Sequence, residues 1–496
     1  MSLMQFDRLY IVSDLHLGGD GQFQIFNQGK CLANTVNQLT ANPNQCTGLV
    51  LNGDIVDFLA EKPAKYLDPL GAINKLKRIT NDAAFKKSWQ ALREYTGHDH
   101  CHLIVVLGNH DVELALPEVR QWLLENLAVD EQARGRVQLH LDGTGFTCLV
   151  GDKRVLCMHG NEVDNWNVVD HLALIQLGRA LNRTMEPPEW DANAGTRLVI
   201  SVMNRIKKDY PMVDLLKPEV EGVLPTIVAL KPDIENLHIM AKLTRVMGQL
   251  TKDKIRRSAG FLAAEEELMS DSPQEGAPFA ELERILAEGN LVSERGDDYR
   301  LQLLRTAYEQ AGIDDYEMDD LAAGEMLGIG HWWKKHVGSL TREELLRRAL
   351  QYLIADSPAF NLDHQDETFK ELDESVGGGV DYLVVGHTHL RRALPRRNGF
   401  YYNSGTWIRL IRLTREVLND KSAFADLWKA FNAGSMEALD KHRIPGPEGK
   451  QDLVLLQPTV VEIGHENGEV FGRLCEATAT GGLNVVEGSR FPGGAQ

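Results

Sequence analysis

Residues 8–18 read RLYIVSDLHLG. A short apolar run, 8–13, stops abruptly at Asp14, and His16 follows two residues later. The same design recurs along the chain. GLVLN at 48–52 stops at Gly53-Asp54, and LIVVL at 103–107 stops at Gly108-Asn109. KRVLCM at 153–158 ends at His159-Gly160, and VDYLVV at 380–385 ends at Gly386-His387. Continuous apolar runs of this length suit strands buried on both faces. Polar stretches with helical spacing, such as 71–95, lie between them. Strands alternating with helices predict an α/β layered core.

Working outward, further strands are expected at 136–141, 146–150 and 399–403, the last ending at Asn403-Ser404-Gly405. Residues 420–443 read as helical, and 452–475 as two strands around a turn from His465 to Gly468. Near residue 165 the pattern changes to helical periodicity, clearest at 166–183, 196–209, 235–257, 279–288 and 341–354. Thr341 followed by Glu344 gives the last of these a capping-box start. The acidic stretch 264–278, with Ser, Gly and Pro, reads as a mobile loop. The expected organisation is therefore a split core, 1–164 and 376–478, interrupted by a mainly helical insertion at 165–375. A Gly-rich tail at 479–496 is expected to fray.

The chain has 496 residues and a formal net charge of −18. That balance repels polyanions at long range and argues against a nucleic-acid-binding role. Six scattered cysteines without a CxxC pair indicate neither a disulfide framework nor a zinc-thiolate site, which suits a cytoplasmic location. No basic-then-apolar leader opens the chain, and no apolar stretch approaches the ~20 residues of a transmembrane helix.

Five polar clusters stand where strands are expected to end: Asp14-Leu15-His16, Gly53-Asp54-Ile55-Val56-Asp57, Gly108-Asn109-His110-Asp111, His159-Gly160 and Gly386-His387-Thr388-His389. Ligands of layered α/β folds bind beyond the carboxyl ends of strands, so the clusters point at one site. Carboxylate, amide and imidazole donors without thiolate suit Mn, Fe or Zn better than copper. In extended backbone, Asp-x-His and His-x-His would send both side chains to one face, each pair gripping one ion.

With all five blocks in this order, the chain resembles the calcineurin-like metallophosphoesterases. The resemblance covers 8–165 and 380–407, and it implies a β-sandwich flanked by helices. It also implies a phosphate-ester substrate and two divalent ions, Mn favoured over Fe or Zn. Asp14, His16 and His389 would hold one ion, and Asn109, His159 and His387 the other, with Asp54 bridging. A bridging hydroxide would attack phosphorus. His110 would act as general acid or phosphate contact, oriented by Asp57, while Asp111 would be structural. Phe58 stands where phosphoprotein phosphatases of this superfamily carry a phosphate-clamping Arg. The DLHLG and GDIVDF stretches, with Met158-His159-Gly160-Asn161, look more like the branch of UDP-2,3-diacylglucosamine pyrophosphatases. That branch has no counterpart of the insertion, so its substrate is not carried over.

Other features admit two readings each. His98, His100 and His102 suit a solvated loop better than a metal patch. Trp332 and Trp333 suit packing of the insertion better than a substrate or membrane contact. Glu162 and Asp164 could reach water near the site, or Asp164 could cap a helix. Arg391, Arg392, Arg396 and Arg397 could face an anionic substrate or line a solvated hairpin. At the level of the whole chain, the alternatives to a phosphoesterase of small or medium substrates are a scaffold binding partners through the insertion and a nuclease of the same superfamily.

Overall fold

The computed structural model describes residues 3–217, 341–354, 358–466 and 468–492. The chain divides into two compact units. The first spans Met1–Thr196, Pro358–Leu410 and Leu455–Gln496, and the second spans Arg197–Ser357 and Ile411–Val454.

The first unit is a two-sheet sandwich. One sheet orders β1 (Met4–Phe6), β6 (Phe146–Val150), β7 (Lys153–Cys157), β8 (Tyr382–Val385), β10 (Phe400–Asn403) and β9 (Arg392–Pro395). The other places strands Leu483–Val485, Glu469–Ala477 and Thr459–Glu466 beside β2 (Arg8–Val12), β3 (Thr47–Asn52), β4 (Cys101–Val106) and β5 (Val137–His140). Strands β2 to β5 run parallel, with Leu9 opposite Gly48 and Leu49 opposite Leu103. Their period-two alternation turns Leu9, Ile11, Val50, Ile104 and Val106 into the space between the sheets, against Phe146, Cys148, Val155, Tyr382 and Tyr402. Complete burial of such a side chain is worth roughly 1.5–3 kcal/mol. The opposite faces are also covered. Phe369 and Leu372 of the helix Glu367–Ser375 pack on Leu383, Val385 and Tyr401. Helices α3 (Lys86–Thr96) and α4 (Pro117–Leu127) cover the parallel strands, α1 (Gly29–Gln38) packs on α3 and on the strand Glu469–Ala477, and α2 (Ala72–Asn81) packs on α3 and α4. Coverage on both faces explains why these strands read as unbroken apolar runs. The α/β fold expected for a metallophosphoesterase is thus present.

Several expectations need revision. Residues 479–492 do not fray: Leu483–Val485 pairs with Cys475–Ala477, and Phe491–Pro492 pairs with Phe471–Gly472. Buried Ser489 accepts a hydrogen bond from Leu474 N, and Phe491 stacks on Phe400 at 4.8 Å. Glycine content signals turns here, while Ser489 and Phe491 between them anchor the segment. The compact unit also runs past residue 164. Its helix α5 (His171–Asn182) is capped by Asp170 rather than Asp164 and buries Leu174 and Leu177.

In the second unit, helix Arg342–Ile354 begins with Thr341 Oγ1 accepting from Glu344 N at 3.2 Å, as the capping signature predicts. Buried Arg347 donates to Leu418 O at 2.6 Å, tying that helix to Arg415–Asn419. The expected 420–443 helix is two, Lys421–Asn432 and Met436–Lys441, because Gly434 turns left-handed and Ser435 starts a new cap. Residues 411–454, read from the sequence as core, fall in this unit. The expected helices at 235–257 and 279–288, the acidic loop and Trp332-Trp333 lie outside the described residues. No helix of the described residues is long and apolar enough to cross a membrane.

Candidate metal centre

All five polar clusters meet at one end of the sandwich, because each follows directly on a sheet strand. The loops after β2 and β3 continue to pair: His16 N donates to Asp54 O at 2.9 Å and Asp57 N to Leu17 O at 3.0 Å. Side chains then fix the donors. Asp54 Oδ1 accepts from His110 N at 2.8 Å. Asp14 accepts from His387 N at 3.0 Å and from the Ser13 hydroxyl, which also meets Ser404 Oγ at 2.6 Å. Asp111 spends both oxygens on backbone, taking Gly108 N at 2.7 Å and Ile55 N at 2.8 Å, the structural role expected of it.

The donors fall into three overlapping groups: Asp14, His16 and His389; His16, Asp54 and His110; and Asp54, His159 and His387. His16 Nε2 lies 3.0 Å from His389 Nε2 and 3.8 Å from Asp54 Oδ2. Asp54 Oδ2 lies 3.2 Å from His159 Nε2, so one carboxylate oxygen faces both sides. Asp57 sits behind, 3.8 Å from His16 Nδ1 and 3.6 Å from His110 Nδ1. Its Oδ1 is anchored by Leu59 N and Ala60 N.

The backbone reaches this arrangement in a way the sequence reading did not foresee. Extended geometry was expected for the Asp-x-His and His-x-His pairs. Instead Asp14, His16, Asp54, His387 and His389 all have positive φ, between 44° and 70°. Left-handed conformation is costly for such residues, at about 1–3 kcal/mol each, and persists only where surroundings over-determine it. Alternate left-handed residues make each i, i+2 pair converge on one point, which a flat strand would not do. Gly53 and Gly108 make room. A Cβ on Gly53 would stand 2.2 Å from His159 Nδ1, and one on Gly108 would stand 2.2 Å from Asp54 Oδ1.

The electrostatics favour charged carboxylates. Burial alone would raise Asp54, but His159, His110 and His16 hold it well below the ordinary carboxylate range. Burial is likewise outweighed at Asp57 by His110 and His16, and at Asp14 by His389 and His159. His159 is buried too, yet Asp54 and Asp14 push it up to about 10. Asn109 Oδ1 and His159 Nε2 are among the buried polar atoms of the site without a hydrogen bond. Unsatisfied buried polar atoms are rare and costly, and a cation would satisfy both. The ring orientation supports this, since His159 Nδ1 donates to Asn52 O at 2.9 Å and Nε2 faces Asp54, where a bound cation would replace the proton held between them. The residues present therefore fit divalent cations.

Residues 7–204 match the calcineurin-like phosphoesterase family. No curated protein matches the chain. The family match, less than half the chain, and the clustered His and Asp side chains fit a metal-dependent phosphoesterase. For a phosphoesterase, the surrounding candidates resolve clearly. Phe58 is buried and offers no phosphate clamp. The four arginines after His389 face carboxylates: Arg391 meets Glu476, Arg392 meets Asp366, and Arg396 and Arg397 meet Asp373. They do not line a free anion site: Arg392 and Arg396 are buried, and Arg397 is exposed at the turn of the β9–β10 hairpin, the solvated position expected. His102 packs edge-on against Phe6, and among the described residues the 98–102 histidines form no metal-ligating group.

Several contributors escaped the sequence reading. Asn52 orients His159 through its carbonyl, and its side chain donates to Met158 O at 2.8 Å. Asn403 donates to Gly386 O at 2.6 Å, bracing the Gly386–His389 turn. Asp164, for which the sequence leaves open a place near the site or a helix cap, meets His387 and does not cap α5. Asn403-Ser404-Gly405 at a strand end was a visible signal, whereas Asn52 reads only as the last residue of an apolar run.

Proposed function

We propose that this chain is a dinuclear metal-dependent phosphoesterase that hydrolyses a phosphodiester, pyrophosphate or phosphomonoester bond in a small or medium substrate. The observation that carries it is the shared carboxylate: Asp54 Oδ2 lies within 3.8 Å of His16 Nε2 on one side and 3.2 Å of His159 Nε2 on the other. Asp14, His16 and His389 would hold one ion, and Asn109, His159 and His387 the second, with Mn favoured. When bound, the ions would neutralise phosphoryl oxygens and yield a nucleophile from water at neutral pH.

The chain's own residues do the rest. Asp57 faces His110 Nδ1 and orients the ring, so that its Nε2 is directed to the leaving-group oxygen or a phosphoryl oxygen. The left-handed backbone at the donors keeps them convergent, so little rearrangement is needed when substrate arrives. His110 also belongs to a donor group with His16 and Asp54, and its separate role rests on Asp57 standing behind it.

The test is metal content together with Mn²⁺-dependent hydrolysis of bis-p-nitrophenyl phosphate and p-nitrophenyl phosphate by the full-length protein. About two metals per chain with turnover of either ester supports the proposal, and the preferred ester separates diesterase from monoesterase chemistry. Protein that takes up no divalent metal and cleaves neither ester overturns it.

A further inference from the structure

We infer that Asp164 is the positioning residue of the second metal cluster, fixing the ring and tautomer of His387. The inference rests on the metal-binding reading above and adds a residue to it.

Asp164 Oδ2 lies 2.7 Å from His387 Nε2, the shortest carboxylate–imidazole contact at the centre. Asp164 belongs to none of the three donor groups among the described residues. Its carboxylate is itself pinned. Oδ1 accepts from Trp166 N at 2.8 Å, and Oδ2 also accepts from Asn167 Nδ2 at 2.7 Å. Its carbonyl accepts from Val168 N at 2.9 Å, closing a tight turn. Gly195 packs against that turn so closely that a Cβ there would stand 2.1 Å from Asn167 Oδ1. A carboxylate anchored this firmly has one orientation to offer.

The chemistry follows from where the proton sits. A carboxylate at Nε2 fixes the hydrogen on that nitrogen and leaves the lone pair on Nδ1. His387 joins Asp54 and His159 in one donor group, so Nδ1 is the atom left to face them. The second cluster then has two histidines locked into opposite tautomers. His159 gives its Nδ1 hydrogen to Asn52 O, and His387 gives its Nε2 hydrogen to Asp164. The negative charge of Asp164 also makes the His387 ring a stronger donor than a carbonyl partner would.

The experiment is calorimetric titration of Mn²⁺ into metal-stripped full-length wild type, Asp164→Ala, Asp164→Asn, His387→Ala and the Asp164→Ala/His387→Ala double variant. Wild type should show two sites. Asp164→Ala should weaken one of them about 10–100-fold and leave the other unchanged. Asp164→Asn, which keeps an oxygen for the Nε2 hydrogen, should recover part of that loss and carries the test if the alanine variant does not fold. The double variant should bind no more weakly than His387→Ala alone, because the two residues act as a unit. Wild-type affinity at both sites in Asp164→Ala and Asp164→Asn, or losses that add in the double variant, would overturn the inference. Wild type that takes up no Mn²⁺ would sink the metal-binding reading itself, and this inference with it.

Discussion

Asp57 Oδ1 lies 3.6 Å from His110 Nδ1, and among the described residues Asp57 belongs to none of the donor groups that could hold a cation. A buried carboxylate placed behind an imidazole, outside the ligand set, is what a proton-handling histidine needs. His110→Ala should therefore lower kcat by about 10²–10⁴ with metal content unchanged. Asp57→Asn should lower it less, by about 10–100-fold, since the ring remains but loses its orienting charge. Metal analysis alongside steady-state kinetics separates these outcomes. If His110→Ala loses metal in step with activity, His110 is a ligand.

Asp54 differs from the other carboxylates in facing both clusters. Removing it should therefore act on both. Asp54→Ala is expected to lose metal from the whole centre, whereas His389→Ala should weaken only the Asp14 and His16 side. Calorimetric titration of each variant with Mn²⁺ reads this directly. Retention of one tight ion in Asp54→Ala would contradict a bridging role.

Gly53 has no room for a side chain. Its φ is 86°, and an added Cβ would meet His159 Nδ1 at 2.2 Å. The atom in the way belongs to the base of a ring hydrogen-bonded to Asn52 O, so it cannot swing aside. Gly53→Ala should cost about 1–3 kcal/mol of unfolding free energy from backbone strain alone. It should also weaken metal binding by displacing His159. Urea unfolding and metal titration of the same preparation would show both effects, and a variant with wild-type values in each would refute the packing argument.

The parts of this molecule legible in its sequence are those set by periodicity. Apolar runs gave β2, β3, β4 and β8 within a residue or two, because both faces of these strands are covered and no polar side interrupts them. The donors were legible because each stands directly after such a run. Conformation at the donors was not. Nothing in Asp14-Leu15-His16 announces left-handed backbone, which comes from hydrogen bonds to Gly53 O, Asp54 O and His387 N, remote in sequence. Partners were equally hidden: Asp164 finds His387 across 223 residues, and Arg392 is buried by Asp366 rather than left for a substrate. Propensity carries no information about contacts of that range.

Glu113 provides a test independent of the metals. It is fully buried, and its Oε2 has no hydrogen bond, while Oε1 accepts from Asp68 N at 3.3 Å. Burial raises its carboxyl from 4.5 to about 7, against the pull of buried Lys75. In the unfolded chain the group ionises near 4.5, but in the fold it keeps its proton until about 7. Between those values the native state binds more protons, so stability falls as pH rises, and it levels off above the folded value. A shift of that size corresponds to about 3 kcal/mol at ~1.4 kcal/mol per unit, lost between pH 4.5 and 7. Glu113→Gln cannot ionise and should lack this contribution. Urea unfolding at pH 5 and pH 8 should show the variant gaining stability relative to wild type as pH rises. An equal difference between the two proteins at both pH values would mean that Glu113 does not hold its proton in the fold.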